Sequence, residues 1–174
     1  MSIHVRPESA EVFFKDDDLI VSKTDLKGRL TYANSVFCSI SGYRESEIIG
    51  QQHSIIRHPD MPRAVFKLLW STVLEGKEIF AYVKNRTKSN GFYWVFAHVT
   101  PSRDAANEIC GFHSNRRVPK RSAIEGTIEP LYRELVGIEN AFTNAKAGLQ
   151  ASSARLNEII AARGQKYDDF IFAL

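Results

Sequence analysis

The run IFAYVKNRTKSNGFYWVFAHVT, Ile79 to Thr100, decides the fold class. Two aromatic and β-branched segments flank Ser89-Asn90-Gly91. Asn-Gly between such segments predicts a tight antiparallel hairpin, because both residues tolerate the positive φ that a two-residue turn demands. Working outward, Ile109 to Asn115 reads as a further strand beyond the loop at Pro101–Asn107. Upstream, Leu19–Thr24 and Arg29–Ala33 flank the turn residues Asp25-Leu26-Lys27-Gly28 and form an opening hairpin. Between the two hairpins lie helical stretches: Ser35–Ile40 after Asn34 as N-cap, a short one at Glu45–Ile49, and Met61–Val73. Glycines at 42, 50 and 76 stop them. Two strands, several short helices, then three antiparallel strands argue an α+β fold, a five-stranded antiparallel sheet with short helices on one face.

The 174 residues suit one domain with an appendage, and the expected divisions are an N-terminal arm (1–18), a core domain (19–117), a linker (118–129) and a C-terminal helical segment (130–174). A net charge of +3 is too small to argue for nucleic acid. The basic run Arg116–Arg121 reads as a solvated linker. No secretory leader and no apolar run long enough for a membrane helix is present, so a soluble, cytoplasmic protein is expected. Cys38 and Cys110 lack metal-ligand spacing and read as reduced thiols. Neither a Ser–His–Asp nor a metal constellation is evident, so the expectation is a non-enzyme. From Pro130 to Arg163, Leu131, Leu135, Ile138, Phe142, Leu149 and Leu156 step by fours and threes or their sums, a heptad seam. Such a stripe needs a partner surface. Ala145 and Ser152 weaken the seam and allow an antiparallel hairpin or a bundle in place of a long parallel coiled coil. Folding back on its own domain is one solution, and dimerisation or docking on another protein is the favoured one.

The segment Arg57-His58-Pro59-Asp60-Met61-Pro62 sets a cation, an imidazole and a carboxylate between prolines at the start of a helix. It offers donors and exposed N–H groups to an anionic ligand, or it is a capped helix start with solvated side chains. Together with Tyr32-Ala33-Asn34, Ser41-Gly42-Tyr43, Val83-Lys84-Asn85-Arg86 and Tyr93-Trp94-Val95, it resembles the PAS domain of bacterial aerotaxis receptors, from about Leu19 to Arg117. That resemblance implies non-covalent FAD between sheet and helices, with Arg57, His58 and Asp60 at positions implicated in its binding and Asn34 and Asn85 in cavity motifs. Phe66, Trp70 and Tyr93 are candidates to enclose the ring, though Phe66 and Trp70 also suit a core. Ile79 stands where those receptors carry a tryptophan. The resemblance further implies a stand-alone redox or oxygen sensor, a homodimer, signalling to a chemotaxis transducer. Rival readings are a haem PAS sensor using His58, His98 or His113, a cofactor-free PAS interaction module, and a flavoenzyme.

Overall fold

The hairpin at Asn90-Gly91 fixes the register of everything around it. The computed structural model describes residues 10–164 and 166–174. Asn90 takes the left-handed conformation (φ 67°), and the strands it joins, β3 (Ile79–Arg86) and β4 (Phe92–Arg103), pair from Arg86 and Phe92 through to Ile79 and Val99. With β1 (Ile20–Thr24), β2 (Leu30–Ala33) and β5 (Ile109–Arg117) they make a five-stranded antiparallel sheet in the order β2-β1-β5-β4-β3. α1 (Ser35–Ser41), α2 (Glu45–Ile48), a 3-10 turn (His53–Ile56) and α3 (Arg63–Leu74) follow β2 and lie on one face.

Alternation along the strands separates two environments. Ile79, Ala81, Val83 and Asn85 face α3, with Phe37, Ile56, Val65 and Val73 buried among the elements on that side. Phe80, Tyr82 and Lys84 face the other way. β5 must approach β1 closely: a Cβ at Gly111 would run into the Thr24 carbonyl oxygen. Where β5 has ended, the N-terminal segment takes over as neighbour of β4, with Glu11 bridging Phe92 in parallel. Glu11 also pairs with Arg121, 2.6 Å away.

The C-terminal segment is not one long helix. α4 (Arg121–Ala123) passes through a π-helical turn (Ile124–Ile128) into α5 (Glu129–Asn140), and a break separates it from α6 (Ala145–Ala162) and α7 (Tyr167–Phe172). Asn144 starts α6 by accepting hydrogen bonds from the Lys146 and Ala147 N–H groups. α5 and α6 run antiparallel: Glu139 lies beside Gly148, and Glu134 meets Arg155 at 2.6 Å. The small residues that weaken the heptad seam explain this. A Cβ at Gly148 would sit 2.7 Å from the Glu139 carbonyl oxygen, and Ser152 is fully buried, so the helices approach too closely for larger side chains. Much of the seam is therefore used inside the chain: Leu131, Leu135 and Leu156 are buried, Ile138 and Leu149 are half-buried, and Phe142 is exposed at the break. α7 returns to the sheet and sets Phe172 against Phe80, so helices cover both faces rather than one. Among the described residues, no helix is long and apolar enough to cross a membrane.

Two glycines test this packing. Gly111→Ala is expected to destabilise the fold by about 1–3 kcal/mol through overpacking at the β1–β5 ladder. Gly126→Ala, where a Cβ meets nothing within 4 Å, should stabilise it by up to about 1 kcal/mol. Urea midpoints of the two variants check both signs.

Candidate functional site

The inner face of the sheet does not close against α3 and the 3-10 turn. Between them lies a cavity of about 360 Å³ with an apolar body and one polar end. Phe66, Trp70, Val83, Ala97 and Phe112 contribute the apolar wall. Trp70 meets Phe112 edge-on at 5.3 Å, and its ring would touch a Cβ at Gly28 at 3.4 Å, so a glycine there leaves it room.

The polar end is built on β1, β3, β5 and the 3-10 turn. Arg116 on β5 is 3% exposed. Its Nη2 donates to Ser22 Oγ at 2.9 Å and to His53 Nε2. Burial, then the neighbouring guanidinium, pulls the His53 pKa down to about 3, so the ring is neutral, accepts at Nε2 and carries its proton on Nδ1. Burial also lowers Arg116 to about 10, which leaves it charged at neutral pH. Four buried polar atoms on the lining residues lack a partner among the described residues: Thr24 Oγ1, Asn85 Nδ2, Ser114 Oγ and Arg116 Nη1. Each unpaired group costs about 1–3 kcal/mol. A flat apolar ligand with hydrogen-bonding groups along one edge would satisfy them, and the chemistry of a flavin ring fits that description.

The sequence-predicted residues divide. Arg57, Phe66, Trp70 and Asn85 line the cavity. Arg57 bridges Asn85 through the backbone, donates to the Met61 carbonyl at 3.2 Å and stacks 4.3 Å above Phe66. The loop then turns round the free edge of β3, which carries His58 and Asp60 away from the cavity. Asp60 accepts from Lys84 Nζ at 2.6 Å, and the His58 ring lies 5.8 Å from that of Phe92. Asn34 does not reach the cavity either. Its side-chain oxygen accepts from the Val21 and Phe37 N–H groups and its amide donates to the Leu19 carbonyl, so helix capping and contacts with the start of β1 engage it away from the lining. Ile79 packs behind the wall with Leu69, Val73, Val99 and Phe112. Tyr93 is fully buried and pairs with Asn85 across the ladder, but stands outside the lining.

Arg116 was expected in a solvated linker and instead ends an inward-facing register with Phe112 and Ser114. The period-2 alternation of β5, extended two residues further, carries that signal. His53 had no such signal, because a single histidine before the Arg57 loop has no pattern. Of the haem-candidate histidines, His98 stacks on Phe80 at 4.1 Å and pairs with Glu78 on the far face. His113 is among the residues lining the cavity, but its ring nitrogen is engaged by Asn115 at 3.0 Å. No cluster of three or more metal-ligating side chains occurs among the described residues.

A family model of the PAS fold matches residues 30–116. The chain belongs to the PAS family. It groups there with aerotaxis receptors: the receptor of Escherichia coli (strain K12) is 38% identical over 135 residues, 78% of this chain and 26% of the receptor. The chain thus spans about a quarter of that relative's length. Among solved structures, the light-state Aureochrome1 LOV photoreceptor superimposes with a TM-score of 0.56 at 19% identity, covering 64% of this chain and 89% of that one. A light-oxygen-voltage domain studied with a flavin analogue gives 0.56 at 14% identity, covering 67% and 87%. At such identities the likeness is one of fold.

The His53–Arg116 contact makes stability depend on pH. His53 takes up a proton on unfolding that it refuses when folded, so the contribution is whole above pH about 6.5 and is lost as pH falls from there towards about 3. The expected slope is about 1 kcal/mol per pH unit within that window. Urea midpoints between pH 7.5 and 4 for the wild type and His53→Gln measure it; equal slopes would remove the neutral-histidine assignment.

Proposed function

We propose that this PAS protein is a redox sensor of the energy-taxis type that holds FAD non-covalently in the cavity and signals to a chemotaxis transducer in the cytoplasm. The observation that carries the reading is the set of unpartnered donors at Asn85 and Arg116, buried in the wall of a cavity otherwise lined by Phe66, Trp70, Val83, Ala97 and Phe112. The 38% identity to an aerotaxis receptor supports it, and so does the fold shared with a domain studied through a flavin analogue.

Bound FAD would supply a reversible, proton-coupled redox change at its ring edge. The protein's part is to bind, orient and respond. Asn85 offers its amide N–H to the ring edge, and Arg116, fixed by Ser22 and His53, favours any negative charge that develops beside it. Trp70 and Phe112 enclose the ring and exclude water, so the aromatic cover does not depend on position 79. Arg57, with Arg63 and Lys67 near the mouth, offers cations to the phosphates. His58 and Asp60 act indirectly in this reading, by anchoring the loop that presents Arg57. A strain or shift at Asn85 passes along β3 and through α3 to the C-terminal helices, whose outer face meets the transducer or a second copy of the chain. The shift is limited to the difference in how two packings bind the two states.

The absorption spectrum of the purified protein, followed by denaturation and identification of what is released, tests this reading. The expected result is a flavin spectrum that bleaches on reduction and returns in air, with FAD released. Asn85→Ala and Arg116→Met should each weaken FAD binding tenfold or more, about 1.4 kcal/mol. Asn34→Ala should cost about 1 kcal/mol of stability and keep its FAD. A colourless protein that refuses added FAD would overturn the proposal.

A further inference from the structure

The C-terminal hairpin reaches the cavity wall through Leu149 of α6, and one buried carboxylate ties both of its helices to α3. α3 begins after Pro62 without a side-chain cap of its own. The missing acceptor comes from Glu139 of α5, 76 residues away. Its Oε2 accepts from the Arg63 backbone N–H and from Arg63 Nε, both at 3.0 Å. Its Oε1 accepts from the Ala64 N–H and from Ser152 Oγ of α6, both at 2.9 Å. Thus a single carboxylate, 5% exposed, joins α3, α5 and α6. Burial alone would raise its pKa, but the donors around it outweigh that and hold it below the usual carboxylate range. Arg63 extends the clamp by donating from Nη1 to the Ala145 carbonyl at 3.0 Å.

Two further features make this clamp releasable. The break between α5 and α6, Ala141 to Asn144, is exposed at every position and is free to act as a hinge. Arg63, Lys67 and Leu149 all line the cavity, so moving the N-terminal end of α6 removes Leu149 from the wall, while Leu156 and Ile160 further along α6 stay packed in the core.

We propose that α6 is a gate on the cavity and that Glu139 is its latch: the hairpin opens about residues 141–144 to admit and release the ligand. The ligand assigned to the cavity rests on the flavin reading, but the gate itself does not require it. Glu139→Gln replaces one acceptor oxygen with an amide that faces donors. Gly148→Ala reaches the same end without changing charge, since its Cβ would lie 2.7 Å from the Glu139 carbonyl oxygen and 3.3 Å from Arg63 Nη2.

Trp70 lines the cavity and reports the gate directly, once the other tryptophan is removed by Trp94→Phe. In ligand-free protein, acrylamide quenching of Trp70 should rise several-fold in both variants, and amide exchange across 145–162 should rise while that of β3 and β4 stays as in the parent. With FAD bound, its release should be roughly tenfold faster. Failure of the protein to bind FAD would sink the flavin reading and leave the quenching result to decide the gate. Unchanged quenching in both folded variants, or faster exchange in α6 without greater access to Trp70, would overturn the gate.

Discussion

A guanidinium buried in a sheet face must be surrounded by acceptors, and Arg116 sets that requirement at the centre of this protein. Its two partners come from distant parts of the chain, Ser22 on β1 and His53 on the 3-10 turn. Meeting it draws the turn down onto the sheet, and the turn in turn delivers Arg57 to its bridge with Asn85 and leads into α3. One nitrogen of the guanidinium stays without a partner among the described residues. A core built only for stability would have replaced this arrangement with aliphatic side chains. The cost is intelligible where a ligand completes the network.

The free edge of β3 is the second organising feature. Unpaired edge groups invite misassociation, and this chain covers them. Arg57 pairs with Asn85, Tyr132 donates its hydroxyl to the Tyr82 carbonyl at 2.7 Å, and the Asp60–Lys84 pair closes over Phe92 and Trp94. The same edge explains why three functional-looking residues within four positions part company. Arg57 precedes the turn and stays inside, whereas His58 and Asp60 follow the chain round to the far face.

What the sequence discloses depends on the range of the interaction. The β3–β4 hairpin is legible because Asn90-Gly91 and the flanking alternation are local. The helix caps are legible too, and at Asn34 the cap is what the structure shows: its oxygen holds the start of α1 and the Val21 N–H. Arg116 was obscured by its basic neighbours, since charge runs usually mark solvated linkers and only strand alternation reveals which member turns inward. The heptad seam predicts an amphipathic segment that needs a partner surface, and of the solutions open to it the antiparallel hairpin is the one the chain adopts for its most buried members. Gly148 and Ser152, small residues on the buried face, mark the close antiparallel crossing, whereas nothing local marks Glu139, because its donors on α3 lie about 75 residues away in sequence.

The junction of Glu11, Phe92 and Arg121 has a mechanical meaning. There the segment leading into the sheet and the helix leading out of it are held side by side, one by backbone pairing with β4 and the other by an ion pair. A unit whose entrance and exit coincide occupies almost no length along a larger assembly. Such a unit can be spliced into a longer architecture without stretching what lies on either side.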